Sequence, residues 1–173
     1  IVKIDKLLGT WRHGNSYYNI PRLPTGATDI VRSAATSDFL SYPGKSVHIE
    51  TAEENEYLAS VLRERGIAQV PVGAYHDLGD FASTRGWWWG TPEDDTRKQT
   101  RLASQTDEDS NCRITYHAYH NLSAPQQQVS CLRTFSLLLN ADGSWTTGIF
   151  GVEKFQYIVE FATSRNLSAG SVK

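Results

Sequence analysis

Three carboxylates and an amide crowd one short stretch of this chain: Asp107, Glu108, Asp109 and Asn111, immediately ahead of Cys112. Such oxygen donors suit a hard cation such as Ca²⁺, which takes about six to eight of them. Set against that metal reading, an acidic run is ordinarily a solvated surface loop. Glu93, Asp94 and Asp95 stand beside Arg97 and Lys98 and read as a self-neutralising segment. His117 and His120 are three apart on an expected strand, which turns them to opposite faces and away from a shared metal. Ser130, Cys131 and His120 are nucleophile and base types without an orienting acid at a supporting spacing, so the chain is expected to be non-catalytic. The other chemistry-bearing group is Trp87-Trp88-Trp89. Consecutive strand residues alternate faces, so two indoles are expected in the core and one at the surface, free to stack on a sugar or anchor a protein.

These groups sit on a chain of 173 residues, long enough for one domain with a real core. Its 17 basic and 19 acidic side chains imply neither a nucleic-acid nor an anionic-membrane partner. The longest apolar runs, such as Leu137-Leu138-Leu139, fall far short of a membrane span, so no direct membrane insertion is expected. A start at Ile1 without any methionine reads as a mature or excised piece of a longer precursor. Cys112 and Cys131 by count alone suit either a disulfide or two buried thiols. The acceptor triplets at Asn121 and Asn166 favour an extracellular or cell-surface setting, in which the two cysteines are expected to pair.

The elements that must position them follow from periodicity and turn chemistry. Tyr17, Tyr18 and Ile20 predict a first strand closed by Pro21 and Pro24, and Thr28 or Asp29 a helix running to Phe39 and Leu40. Thr51-Ala52-Glu53-Glu54 is a capping box, with Glu54 expected to reach back to the Thr51 amide. The helix it starts carries Tyr57, Leu58, Val61 and Leu62 as an apolar stripe and ends at Arg63, Arg65 and Gly66. Val70 to Tyr75 predicts a buried strand, and Asp77 to about Ser110 a long loop. Strands are then expected over Arg113 to Tyr119, Leu132 to Leu139 and Phe155 to Phe161, with Asn140-Ala141-Asp142-Gly143 turning into Trp145. Residues 163–173 suit a tail or linker after a domain spanning 1–162.

Several of these segments, in order, resemble the C-type lectin-like domain. Val47 to Leu58 is similar to that family's strand leading into a Ser/Thr-x-Glu-Glu-Asn helix start, and Val72-Gly73-Ala74 lies where the family has its Trp-Ile-Gly-Leu strand. Trp87 to Pro92 looks like its Trp-x-Trp and Gly-Thr-Pro element. Asn140 to Trp145 and Tyr157 to Phe161 look like its Asp-Gly-x-Trp-Asn-Asp and Tyr-Ile-Cys-Glu endings. The resemblance implies an α+β fold of two helices flanking small antiparallel sheets, with termini in neighbouring strands and a long loop region that carries ligand binding.

The departures matter as much. The family's tether between first helix and last strand would fall near Leu40 and Val159, both apolar here, so packing is expected to replace a disulfide. Sugar-binding members hold calcium with an acidic or amide residue beside a loop proline and an Asn-Asp pair after the late Trp. Here Pro125 has no acid beside it and no acid or amide ahead of it, and Thr146-Thr147 follow Trp145. The resemblance therefore implies a non-catalytic recognition domain that binds a protein, or a glycan, without calcium or other cofactor. Its candidate ligand contacts are Trp87, Trp88, Trp89, Asp94, Asp95, His117 and Tyr119. The alternatives are a calcium-dependent lectin with a rearranged site at Asp107 to Asn111, and a structural module of a larger surface assembly.

Overall fold

The computed structural model describes residues 10–21, 38–39, 42–77, 85–89, 100–108, 111–123, 125, 136–148 and 156–162. The chain divides into two compact units, one of residues 1–47 and 152–173 and the other of residues 48–151.

The first unit is a four-stranded sheet in the order β1-β2-β12-β5, from Thr10–His13, Ser16–Asn19, Val159–Ala162 and Lys45–Ser46. The late strand runs antiparallel between two early ones, with Phe161 opposite Tyr17 and Val159 opposite Asn19 and Ser46. This is the expected meeting of the two ends of the chain. Tyr17, Tyr18, Ile20, Val47, Tyr157, Ile158, Val159 and Phe161 are buried, and Val47 closes the edge by donating its amide to the Ile158 carbonyl at 3.2 Å. One charge is buried among them. Glu160 is held by Lys45 Nζ at 3.3 Å, directly opposite it in the ladder, and accepts from Ser16 Oγ at 2.9 Å. A buried carboxylate is tolerable only with such partners.

The helix expected to reach Phe39 does not do so. Asp38–Phe39 (β3) pairs antiparallel with Tyr42–Pro43 (β4). Pro43 biases Tyr42 to extended backbone, and an extended Tyr42 offers Phe39 a ladder partner that a helix end lacks. Residues 28–37 and Leu40 lie outside the described residues, as do the tail over 163–173 and the packing of Leu40 on Val159. Among the described residues there is one helix.

That helix, α1 (Ala52–Glu64), belongs to the second unit. Thr51 caps it in extended conformation, accepting from the Glu54 amide at 3.1 Å. The Glu54 carboxylate accepts the amide of Glu50 at 2.8 Å, one residue before the expected partner. Gly66, at φ +68°, ends the helix: its amide reaches the Arg63 carbonyl at 3.1 Å while Ile67 reaches Leu62 at 2.9 Å, the paired bonds of a Schellman stop. Leu58, Ala59, Val61 and Leu62 are buried, whereas Tyr57 is half-buried.

The remainder of this unit is an antiparallel sheet of six strands in the order β11-β10-β6-β7-β8-β9. Gln69–Asp77 (β6) lies centrally, flanked on one side by Ser136–Asn140 (β10) and Trp145–Gly148 (β11). On the other side lie Gly86–Trp89 (β7), Thr100–Glu108 (β8) and Asn111–Tyr116 (β9). The long loop expected over residues 77–110 therefore contains two strands that widen the sheet. β8 escapes a hydrophobic-pattern reading because a polar side chain fills one of its inward positions. Gln105, 2% exposed, is accepted in the core by a short bond between its Oε1 and Nε2 of the fully buried His76. Two further strand bounds differ from expectation: β9 ends at Tyr116, so His117 and His120 lie beyond it, and β12 starts only at Val159.

β7 can lie against β8 only because residue 86 has no side chain. Gly86 has φ +135°, and a Cβ there would stand 2.0 Å from the Ala103 carbonyl oxygen. Gly86→Ala is expected to lower unfolding free energy by about 1–3 kcal/mol through strain and displacement of β8. Urea denaturation followed by tryptophan fluorescence checks this, and an unchanged midpoint would contradict the close approach.

Candidate functional site

The site is organised by one amide side chain. The helix cap fixes Asn55 in the first turn of α1, where it is 4% exposed. Its Nδ2 donates to the Gly143 carbonyl at 2.8 Å, and its Oδ1 accepts from the Trp145 indole at 2.7 Å. These partners sit in the tight connection between β10 and β11. Gly143 adopts φ +88°, and a Cβ there would press on Asn55 Nδ2 at 3.3 Å. Asp142 shapes the turn by accepting from the Ser144 hydroxyl at 2.6 Å and amide at 2.9 Å, which hold its exposed carboxyl below the usual range. Arg63, from the last turn of α1, donates to the Ala141 carbonyl at 2.6 Å.

Asn121 fastens the same turn from another segment. Its Nδ2 donates to the Gly143 carbonyl at 2.6 Å, while its own carbonyl accepts the Trp145 amide at 3.1 Å. This exposed glycosylation-triplet asparagine is therefore also a structural tie.

Beyond Trp145, the positions that the resemblance assigns to an Asn-Asp calcium pair hold Thr146 and Thr147, both half-buried on β11. The surroundings of Thr146 can be assigned atom by atom. The Ser144 carbonyl can only accept, so the Asn140 atom facing it at 3.1 Å is Nδ2. Asn140 Oδ1 then faces Gln69 at 2.7 Å, which must present Nε2. Both amide nitrogens reach Thr146 Oγ1, from Gln69 at 3.1 Å and from Asn140 at 3.4 Å. The lone pairs of the hydroxyl oxygen thus face N–H donors, which occupy the electron density a cation would need.

The aromatic candidates divide by face. Trp87 is fully buried, with His76 against it at 5.2 Å between ring centroids. Trp89, 1% exposed, lies between His48 at 5.3 Å and Trp145 at 6.0 Å, edge-on. Both are core residues with no surface for a ligand. Trp88 is half-buried on the other face, beneath the Arg101 guanidinium at 5.1 Å. Tyr119 meets Trp145 edge-on at 5.6 Å, and burial raises its phenol pKa. His117 is exposed, its Nε2 2.5 Å from Ser104 Oγ. His120 stacks on Tyr116, and burial lowers the imidazole pKa and raises that of the phenol.

The acidic cluster is not an open loop. Asp107 and Glu108 are strand residues at the end of the β8–β9 ladder, in register with Cys112 and Asn111. Among the described residues no three His, Cys, Asp or Glu are placed to hold a metal ion. Asp94, Asp95, Asp109, Cys131 and Asn166 lie outside the described residues. The structure brings Trp88, Ser104 and His117 to one sheet face and leaves Tyr119 against the core. Asn55, Gln69 and Arg101 were not singled out from sequence, and Asn121 was read only as a glycosylation acceptor. Asn55 lies in the Thr-x-Glu-Glu-Asn pattern, whereas Arg101 stands in a polar stretch that carries no signal.

A capped helix latched to an Asp-Gly-x-Trp turn in one unit, and in the other a sheet that joins early and late strands, are features of the C-type lectin-like fold. Three solved structures similar to this chain have it. Human lithostathine matches with a TM-score of 0.57 and 18% identity, over 89% of this chain and 97% of its own. The C-type lectin CEL-I from Cucumaria echinata matches at 0.54 and 11%, over 90% and 96%. The C-type carbohydrate-recognition domain of cow CD23, solved in the presence of an oligosaccharide, matches at 0.54 and 11%, over 89% and 93%. No family model and no curated protein matches the sequence.

Asn55→Leu removes both bonds while keeping the bulk, leaving the Trp145 indole N–H without its acceptor. It is expected to cost about 2–4 kcal/mol, as loss of a buried bridging amide does. Asn121→Ala leaves Gly143 its bond from Asn55 and is expected to cost about 1 kcal/mol. Chemical denaturation of both variants checks the order, and equal losses would refute the primacy of Asn55.

Proposed function

We propose that this chain is a non-catalytic extracellular or cell-surface recognition domain that binds a protein ligand without calcium. The C-type lectin-like fold supports a ligand-binding role, since the similar structures include a C-type lectin and a carbohydrate-recognition domain. Calcium independence rests on one observation: Thr146 Oγ1 is surrounded by the amide donors of Gln69 and Asn140. Neutral hydroxyls under amide hydrogens cannot offset the dehydration of a divalent ion. No described helix is long and apolar enough to cross a membrane.

A protein ligand is favoured by what faces solvent on the widened part of the sheet. Tryptophan and arginine are over-represented among residues that dominate protein interfaces, and Trp88 with Arg101 supplies both. A sugar would need a bare indole face for stacking, and one face of Trp88 carries the guanidinium.

Melting temperature in millimolar calcium and in chelator is expected to agree within about 1 °C, because a ligand that does not bind the native state does not shift unfolding. Binding to an extracellular protein panel is expected to survive chelation, and a glycan array to give no calcium-dependent signal. Glycan retention abolished by chelator would overturn this reading. In the same setting Cys112 and Cys131 are proposed to form one disulfide, closing a loop of a size that contributes about 3 kcal/mol. Thiol titration of the denatured, unreduced protein is expected to find none, and two titratable thiols would end that assignment.

A further inference from the structure

Arg101 is the one described guanidinium held over an indole on this unit's sheet, and it is half-buried. Its Nη2 donates to the Arg85 carbonyl at 2.5 Å. Its Nε is buried and finds no acceptor. Among the described residues no carboxylate pairs with it. An arginine cannot discharge itself by losing its proton, so its charge is permanent and, among the described residues, has no anionic partner. The carbonyl and the indole fix its orientation, and among the described residues nothing bonds to the far edge of the planar fork.

The surrounding face is polar and mixed in charge, with Glu108 at its far end, two residues beyond Thr106 on β8. Trp88 lies directly opposite Arg101 in the β7–β8 ladder, and Gly86, two residues earlier, lies opposite Ser104. The same face continues through Thr106 to their β9 partners Thr115 and Arg113, all three exposed. A second cation, Arg113, therefore stands on this face, and exposed His117 adjoins it through Ser104.

We infer that Trp88 and Arg101 form the anchor for a carboxylate on the protein ligand, an Asp or Glu side chain received by the free edge of the Arg101 fork. This rests on the recognition role proposed above and names the chemistry it selects. A planar, charged, oriented fork matches a carboxylate in two parallel hydrogen bonds and gains little from a neutral hydroxyl. The indole shields the pair from water on one side, which strengthens it.

The test is a titration of the isotope-labelled intact chain, in chelator, with glutarate and with its neutral isostere glutaramide. The Trp88 indole N–H and Arg101 Nε–H resonances report the site. Glutarate is expected to shift both saturably and to bind at least about tenfold more tightly than glutaramide, as charge-assisted pairing requires. Arg101→Lys is expected to weaken glutarate about five- to tenfold, Arg101→Gln to abolish it, and Arg113→Gln to change it less than about threefold. Arg101→Lys keeps the charge, so it answers for any variant that loses the fold, and a melting curve of each confirms folding. Equal responses to glutarate and glutaramide, or retention in Arg101→Gln, would overturn the anchor. N-acetylneuraminic acid binding more tightly than glutarate and a Gly-Glu-Gly peptide would replace the protein ligand by a sialylated glycan. Failure here shows as indifference to the charge of the probe, whereas failure of the broader reading shows as calcium dependence in the binding screen.

Discussion

Everything in the second unit depends on the fact that a single amide can donate and accept at once. Asn55 offers its nitrogen to the Gly143 carbonyl and its oxygen to the Trp145 indole. No apolar side chain could satisfy both, and no charged one could do so without the cost of burying its charge. With the turn fixed, Trp145 takes its place edge-on to Trp89 and Tyr119. The strand that follows then presents Thr146 to Gln69 and Asn140. A packing decision made in the first turn of a helix is thus felt in the polar chemistry at the edge of a sheet.

This explains which parts of the fold were legible in sequence. The helix start was readable because its bonds are local, Thr51 to Glu54, and its stop because only glycine sits easily at the αL position of Gly66. The Asp142-Gly143 turn and the late strands were readable for the same reason, and the resemblance drawn from them gave the fold. The strands hidden in the expected loop were not. Gln105 is buried because His76, far away in sequence, supplies its partner, and Gly86 is a strand residue because Ala103 must approach its backbone. Neither fact exists until the chain has folded. The alternation of the three tryptophans was legible from strand geometry alone, but Arg101, which covers the half-buried one, announced itself by no pattern.

Identities of 11–18% to structures with the same fold show how little of the sequence the architecture needs. In this chain the architecture rests on relations: a cap that aims one amide, a turn that can receive it, and a late strand set between two early ones. The calcium pair is dispensable to that scheme because it lies past Trp145, downstream of the latch. Two threonines can take those positions, bond to amides already present and leave the core unaffected.

The latch also sets a kinetic condition on folding. Its two bonds join residues 88 and 90 positions apart, and the Ser16–Glu160 contact of the other unit spans 144. Closing a flexible loop of the shorter span costs about 4 kcal/mol of chain entropy. No local hairpin can supply these contacts early, although the β8–β9 pair, nearly adjacent in sequence, can form first and shorten the path. The domain is therefore of high contact order, and a nascent chain stays open until Val159–Ala162 has been made and can be placed.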